Sequence, residues 1–415
     1  MPLFGSYFDE EKRILDELYD LIRPEIENVY SKIDRSLNSF PLPIRIDNHD
    51  EYDAKVTSEL HRYLETIKNT PALVNIPNFL DEVQEVVNHI LLALGCERQG
   101  ETERARLYIK AILEKYQSDN FFVSELDSCY AFRGSAPFDS FRYQNIDYTK
   151  QLNLPLTFFR CRKKEVYDRD KMLHVPLNRR SWISSNRFSL PGIPCLYIAT
   201  TSHCCWKELG QPEDMSIVAL KVNDTGKKLR ILNLVIPQHL INGVDWNPYQ
   251  PLAELSKKMR RIFPLVIATS VSTRTQDNCA YKPEYTISHL IMRCLKDLKI
   301  DGVAYMSTRI DGDYQFPQSV NLAIPVFSKS TSQSYGDICK CFEMTNPMFF
   351  KSCKNYLSCQ GNNSTKSYVN TVFFEGINGM IEWEHTMTPY CKTPFFNIDN
   401  ILCSQTYTPV MASHK

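Results

Sequence analysis

The 415-residue sequence predicts an α+β protein in which a helical bundle precedes a mixed α/β core. Three observations carry that prediction. Apolar residues in the first 118 positions or so recur at spacings of three and four. From Leu156 to about Phe327 the chain instead breaks into short apolar or alternating runs with helical candidates between them. The composition is that of an ordinary globular protein, with 43% hydrophobic residues and 48 Lys+Arg balancing 48 Asp+Glu.

In chain order, Ile14, Leu18, Leu21, Ile22, Ile26, Val29 and Ile33 fall on one helical face, and Pro24 predicts a kink or break at Arg23. Leu80, Val83, Val87, Ile90, Leu91 and Leu94 mark a second helix with Gly95 as its expected stop; Ala105, Tyr108, Ile109, Ile112 and Tyr116 mark a third. These stripes read as a bundle's own core rather than a binding surface, and residues 1–118 form the expected helical domain. Residues 119–155 are rich in aromatic, Ser and Asp residues without a sustained period and read as a connector. In 156–330 the runs LTFFRCR, PCLYIAT, MSIVALKV, LRILNL, FPLVIAT, DGVAYMS and VNLAIPVF suit strands, with helices expected near 202–209 and 284–298. Residues 331–415 read as an extension packed on the core, in which KSYVNTVFFEG and GMIEWEH could pair as a hairpin. There are no internal repeats.

A formal net charge of zero removes a global electrostatic argument for nucleic acid or an anionic membrane. No run of about 18 uncharged apolar residues is present, so no membrane span is expected. The acidic start MPLFGSYFDEEKRILDELYD is unlike a signal peptide, and a cytoplasmic location is the expectation. On that expectation the sequons at Asn362 and Asn363 carry no glycan. Fourteen irregularly spaced cysteines read as buried thiols rather than a disulfide scaffold. The tightest cluster, Cys339 and Cys341 followed by Cys353 and Cys359, lacks the paired C-x-x-C knuckles of a zinc site, so no metal is expected. Neither G-x-G-x-x-G nor G-x-x-x-x-G-K-[ST] occurs, and H-E-x-x-H and G-x-S-x-G are missing too. With 14 glycines the chain is poor in loops that cradle phosphate by backbone alone.

One constellation stands out. Phe159-Arg160 closes an early strand run; Arg187-Phe188-Ser189-x-Pro191-Gly192-x-Pro194-x-Leu196-Tyr197-Ile198-Ala199 follows, then Glu208 on the next helix, Asp301-Gly302-Val303-Ala304-Tyr305-x-Ser307, and Asn321-Leu322-Ala323-x-Pro325-Val326-Phe327. His174-Val175-Pro176-Leu177-x-x-Arg180 precedes the second arginine. Five pieces in this order resemble the RES domain family, named for its Arg, Glu and Ser. The resemblance implies a core like the ADP-ribosyltransferase fold and NAD as substrate, with nicotinamide released, in some members by phosphorolysis. It also implies a bacterial toxin of a toxin–antitoxin pair, so a possible antitoxin is a partner. Larger members carry a helical, HEPN-like domain ahead of the core, but residues 1–118 hold no R-x4-6-H pair and no ribonuclease activity is carried over. Ser189 stands where the family often has Asn, and a hydroxyl keeps only part of an amide's two-sided hydrogen-bonding pattern.

Chemistry gives each residue a task. Cleaving the ribose–nicotinamide bond builds an oxocarbenium-like centre beside a diphosphate. Arg160 and Arg187 offer planar forks for phosphate oxygens, and Glu208 offers a carboxylate for the ribose and the developing cation. Tyr197 can pack on the nicotinamide or ribose; Ser307 can donate to phosphate or carboxamide, and Ser189 can keep one hydrogen bond of the Asn whose place it takes. The expected catalytic set is thus Arg160, Glu208 and Ser307, with Arg187, Tyr197 and Ser189 binding NAD. No cofactor is expected beyond NAD as substrate and inorganic phosphate as possible co-substrate.

Each residue has a plainer alternative. Arg160 could end a strand at the surface, with Arg162 the working residue, and Arg187 could pair with a carboxylate such as Asp170. Tyr197 could be core, Ser307 and Thr308 turn chemistry, and His174 a satisfied structural histidine. Phosphorolysis is favoured over hydrolysis by family habit alone. Transfer of ADP-ribose to a macromolecule is disfavoured by Trp206, which stands two before Glu208 where transferases often carry an acid. A catalytically inactive interaction module is the remaining reading.

Overall fold

The computed structural model describes residues 40–134, 155–236, 250–274, 279, 281–310, 316–328, 334–351, 380–383 and 386–410. The expected helix over Ile14–Ile33 and its break at Pro24 lie outside the described residues, as do Cys353 and Cys359.

The first described part is a short strand, β1 (Ile44–Ile46), followed by helices α1 (Tyr52–Lys68), α2 (Phe79–Arg98) and α3 (Thr102–Tyr116). Their apolar spacing puts Val56, Leu60 and Tyr63 of α1, Val83, Val87, Ile90 and Leu94 of α2, and Ile109 and Leu113 of α3 on buried faces. Helix α2 runs past Gly95, the expected stop. It ends at Arg98 and is closed by Gly100, whose φ of +75° is the left-handed turn glycine adopts without strain. There the N–H of Gly100 bonds Glu97 O and that of Glu101 bonds Cys96 O, a Schellman closure.

Strand β2 (Val123–Glu125) falls inside the stretch read as a connector and pairs with the sheet edge. Then come β3 (Thr157–Lys163), β4 (Cys195–Ala199), α4 (Ser202–Glu208), β5 (Met215–Val222), β6 (Arg230–Asn233), α5 (Gln250–Thr269), β7 (Val271–Thr273), α6 (Thr286–Cys294), β8 (Gly302–Met306) and β9 (Val320–Pro325). The C-terminal part adds β10 (Phe342–Met344), β11 (Met348–Phe349), β12 (Met380–Trp383), β13 (Thr386–Pro389), α7 (Pro394–Ser404) and β14 (Thr408–Pro409).

One mixed sheet runs β14-β10-β5-β3-β4-β9-β8-β6-β2, with β11 also on β5. Its pairs are antiparallel except β6–β8, and the longest, β3–β5, runs from Thr157↔Lys221 to Lys163↔Met215. Because strand side chains alternate, each face has its own core. On one face lie Phe158, Leu196, Ile198, Val218, Leu220 and Leu322, covered by Phe132, Met172, Leu173 and Cys339. The other face is shared. Over β6, β8 and β9, Leu232, Val303 and Ala323 join one apolar core with α1, α2, α3, α5 and α6. Over β3 and β5, Phe159, Ile217 and Ala219 meet α4 and α7.

Two readings of the sequence are corrected here. FPLVIAT, expected as a strand, is the last part of α5; a short continuous apolar run does not distinguish a buried strand from a buried helix. Its Pro264 removes the N–H that would bond Arg260 O, and the Tyr63 hydroxyl of α1 donates to that carbonyl at 2.8 Å instead. GMIEWEH supplies β12, but its described partner is β13, from Met380↔Pro389 to Trp383↔Thr386; KSYVNTVFFEG lies outside the described residues. Strands β3, β4, β5, β6, β8 and β9 and helices α4 and α6 fall where the sequence places them.

Candidate active site

Helix α4 begins where β4 ends. Thr201 caps it: its Oγ1 accepts from Cys204 N at 3.0 Å and donates to Gln318 O at 2.6 Å, fixing the helix start against the loop before β9. Seven residues later the helix delivers Glu208, half-buried, to the ends of β8 and β9. There Glu208 Oε1 accepts from Ser307 Oγ and from Asn321 Nδ2, both at 2.7 Å. Ser307 is 4% exposed and Asn321 6%, so both donors are held away from water and aimed at one carboxylate oxygen. Asn321 Oδ1 faces the Cys204 thiol at 3.5 Å, which fixes the amide's orientation.

Thr308, the residue after Ser307, accepts at Oγ1 from Arg187 Nη2 at 3.1 Å. The two neighbours therefore tie Glu208 and Arg187 into one unit. Arg187 spends its other bonds on three backbone segments: Nη1 donates to Thr269 O at the end of α5 at 2.7 Å and to Glu284 O, before α6, at 3.5 Å, and Nη2 to Val271 O of β7 at 2.6 Å. Carbonyls at a helix C-terminus lack intrahelical partners, and a guanidinium satisfies them. Its carbon lies 5.0 Å from the Tyr285 ring centroid.

Aromatic rings lie over this unit. Phe188 packs on Tyr305 with centroids 4.3 Å apart, and Tyr197 donates its hydroxyl to Phe188 O at 2.7 Å. Burial raises the Tyr305 phenol well above its ordinary range; the Glu208 charge adds to this and Arg187 opposes it. The turn that feeds Phe188 onto the sheet is Leu190-Pro191-Gly192-Ile193, closed by Ile193 N to Leu190 O at 3.0 Å, with Gly192 at φ +73°. Proline then left-handed glycine at the two centre positions is the type II pattern.

The structure thus brings together Arg187, Glu208 and Ser307, with Tyr197 beneath Phe188. It does not bring Arg160 to them. Arg160 alternates with Phe159 and projects from the opposite face of β3, beside Phe158. Its Nε donates to Met172 O, Nη1 to Tyr197 O and Nη2 to Leu173 O, the last at 3.1 Å. Strands β3 and β4 pair only through Phe159↔Ala199, and the guanidinium takes up a β4 carbonyl beyond that pair. Burial pulls Arg160 down to about 9, so it stays cationic at neutral pH as a clamp on backbone. Arg162 is directed likewise, to Lys171 O and Leu173 O.

Ser189 lies beside Tyr197 but bonds neither Arg187 nor Glu208 nor Ser307: its hydroxyl accepts from Asn186 N and donates to Asn186 O, closing a local turn. His174 is structural, since Nε2 accepts from Gly336 N at 3.0 Å and burial holds it down to about 4. Asn321, Thr308 and Tyr305 were not singled out for the site from sequence. Asn321 had a signal: a lone amide in the apolar run VNLAIPVF must be paired once buried. Cys339 and Cys341 are buried thiols, Cys339 pushed up to about 12 by burial. Among the described residues no group of three or more His, Cys, Asp or Glu is placed to hold a metal.

Of the sequence-predicted residues, Ser307 bonds Glu208 directly and Arg187 is joined to them through Thr308. Residues 157–333 match the RES domain family. All of Arg187, Glu208, Ser307 and Asn321 lie inside the RES match, whereas α1–α3 and α7 lie outside it. A Bacillus subtilis (strain 168) protein named "Putative toxin YopC" is 28% identical over 223 residues, covering 51% of this chain and 50% of that one. The chain therefore spans about half the length of this curated relative. No solved structure matches the chain. Among the described residues no helix is long and apolar enough to cross a membrane.

Proposed function

We propose that the protein cleaves the nicotinamide–ribose bond of NAD, with Glu208 stabilising the developing positive charge on the sugar. The observation that carries this reading is the pairing of Ser307 and Asn321 on one oxygen of Glu208, because it fixes a carboxylate without neutralising it. Such preorganised charge is the largest lever for an oxocarbenium-like transition state. The second oxygen takes no part in these bonds and is the one to face a ribose hydroxyl. Arg187 supplies the positive charge for the diphosphate; a phosphate oxygen that bonds it exchanges for one of the Thr269 or Val271 carbonyls. Phe188, Tyr197 and Tyr305 supply the apolar surface for a planar ring. Arg160 has no part in this reading.

Phosphate is the favoured nucleophile, giving ADP-ribose-1″-phosphate, with water giving ADP-ribose. Transfer to a macromolecule is less favoured, because Trp206, at the position before Glu208 where an acceptor-activating acid would sit, packs on Trp383 and Phe395. The name of the Bacillus subtilis relative supports a toxin role; restraint by an antitoxin is a further part of the proposal. Incubation of the purified full chain with NAD, with and without inorganic phosphate, tests the reading: nicotinamide is released by the wild type and not by Glu208→Gln. Equal turnover in the variant removes Glu208 from the mechanism.

A further inference from the structure

We propose that Asp399 of α7 is a positioning residue for Glu208, and that the C-terminal segment, which lies outside the RES match, is a working part of the site. The inference rests on the reading of Glu208 given above. Helix α4 is held along its length by that segment. At its start Ser202 N donates to Asp399 Oδ1 and Oδ2 at 3.3 and 3.4 Å. His203 packs on Phe395, Trp206 on Phe395 and Trp383, and Lys207 Nζ lies 3.5 Å from Glu382 of β12. A seven-residue helix spans about 10 Å, so a displacement at Ser202 is transmitted to Glu208 at its far end.

A carboxylate is a costly way to hold such a helix. Asp399 is fully buried and receives, besides Ser202, the Tyr390 hydroxyl at 2.6 Å. An amide would accept the same two bonds without burying charge. Burial lifts Asp399 to about 7, with Ser202 and Tyr390 pulling the other way. Besides Tyr390, the titrating groups around it are Cys161 on β3 and Tyr407 after α7, both pushed upward by burial and by Asp399 itself, and both neutral near pH 7. His203 is neutral as well, held at about 3. The proton on Asp399 is therefore the one that changes here near neutrality. Its loss turns a carboxyl that must place a hydrogen into one that accepts from both Ser202 N and Tyr390.

The test uses the full chain and the variants Asp399→Asn and Tyr390→Phe. Trp206 and Trp383 are two of the four tryptophans, so intrinsic fluorescence reports this contact. The expected wild-type titration has an inflection near pH 7 that Asp399→Asn abolishes, and kcat for nicotinamide release, which follows the same inflection in the wild type, becomes flat from pH 6 to 8 in that variant with KM unchanged. Tyr390→Phe shifts the inflection upward, because the carboxylate loses a donor. An unaltered inflection with an unaltered kcat profile in Asp399→Asn overturns the proposal. If the wild type releases no nicotinamide, the reading of function fails, and the positioning claim is decided by a double-mutant cycle. Asp399→Asn and Glu208→Ala then couple by at least about fivefold in the unfolding constant, or their additivity overturns it.

Discussion

Arg160 and Arg187 stand 27 positions apart in one motif, are both buried, and both grip backbone carbonyls, yet they belong to opposite faces of the sheet. Arg160 holds the carbonyls of Met172, Leu173 and Tyr197 and reaches neither Glu208 nor the residues that hold its carboxylate. Arg187 also reaches Thr308, and so is one residue away from the serine that holds Glu208. A buried guanidinium is thus informative only through what its partners hold in turn. One arginine closes the fold; the other joins the fold to a carboxylate.

The comparison can be broken most forcefully at Arg160. Arg160→Ala leaves three buried carbonyls without their donor and costs roughly 3–5 kcal/mol in urea unfolding; unchanged stability with lost turnover would return it to the active site. Glu208→Gln is its mirror image, with a loss of about 10²–10³ in kcat and little change in the urea midpoint. Third comes pH. His174 is held near 4 and His203 near 3, so the unfolded chain takes up protons that the folded one refuses, and stability declines as pH falls from about 6.5 toward 4. Replacing His174 by Gln removes about 2 kcal/mol of that decline between pH 7 and 5, seen by comparing melting at the two pH values. Asp399 has the opposite sign: the folded state holds its proton, so stability is lost as pH rises from about 4 to 7, and Asp399→Asn melts higher than wild type at pH 8. Asn321→Ala removes one of two donors to Glu208 and lowers kcat about tenfold, near 1.4 kcal/mol, with Ser307 still in place. Smallest is Tyr63→Phe, which strips the hydroxyl from Arg260 O and costs about 1 kcal/mol without touching turnover.

Much of the central sheet was legible because alternation and apolar runs report strands directly, as in MSIVALKV. FPLVIAT was not, since nothing local says that its partners are the helices α1 and α2 rather than a strand. In the candidate site, the order of the motifs singles out Glu208, Ser307 and Arg187, which the fold links through Ser307 and Thr308. The separation of Arg160 from Glu208 was not legible, because the face a strand residue takes depends on which layers cover the sheet, and sequence spacing does not carry that. Asp399 was unreadable: its meaning comes from α4, almost two hundred positions earlier.

The proline in α5 carries a practical corollary. Helices α5 and α6 lie within residues 157–333 but turn their oily sides to α1–α3, and the carbonyl Pro264 leaves unserved is met by a tyrosine from outside that span. A recombinant fragment trimmed to the family limits would lack that lining and is expected to be insoluble. Protein engineers wishing to dissect this chain should cut elsewhere.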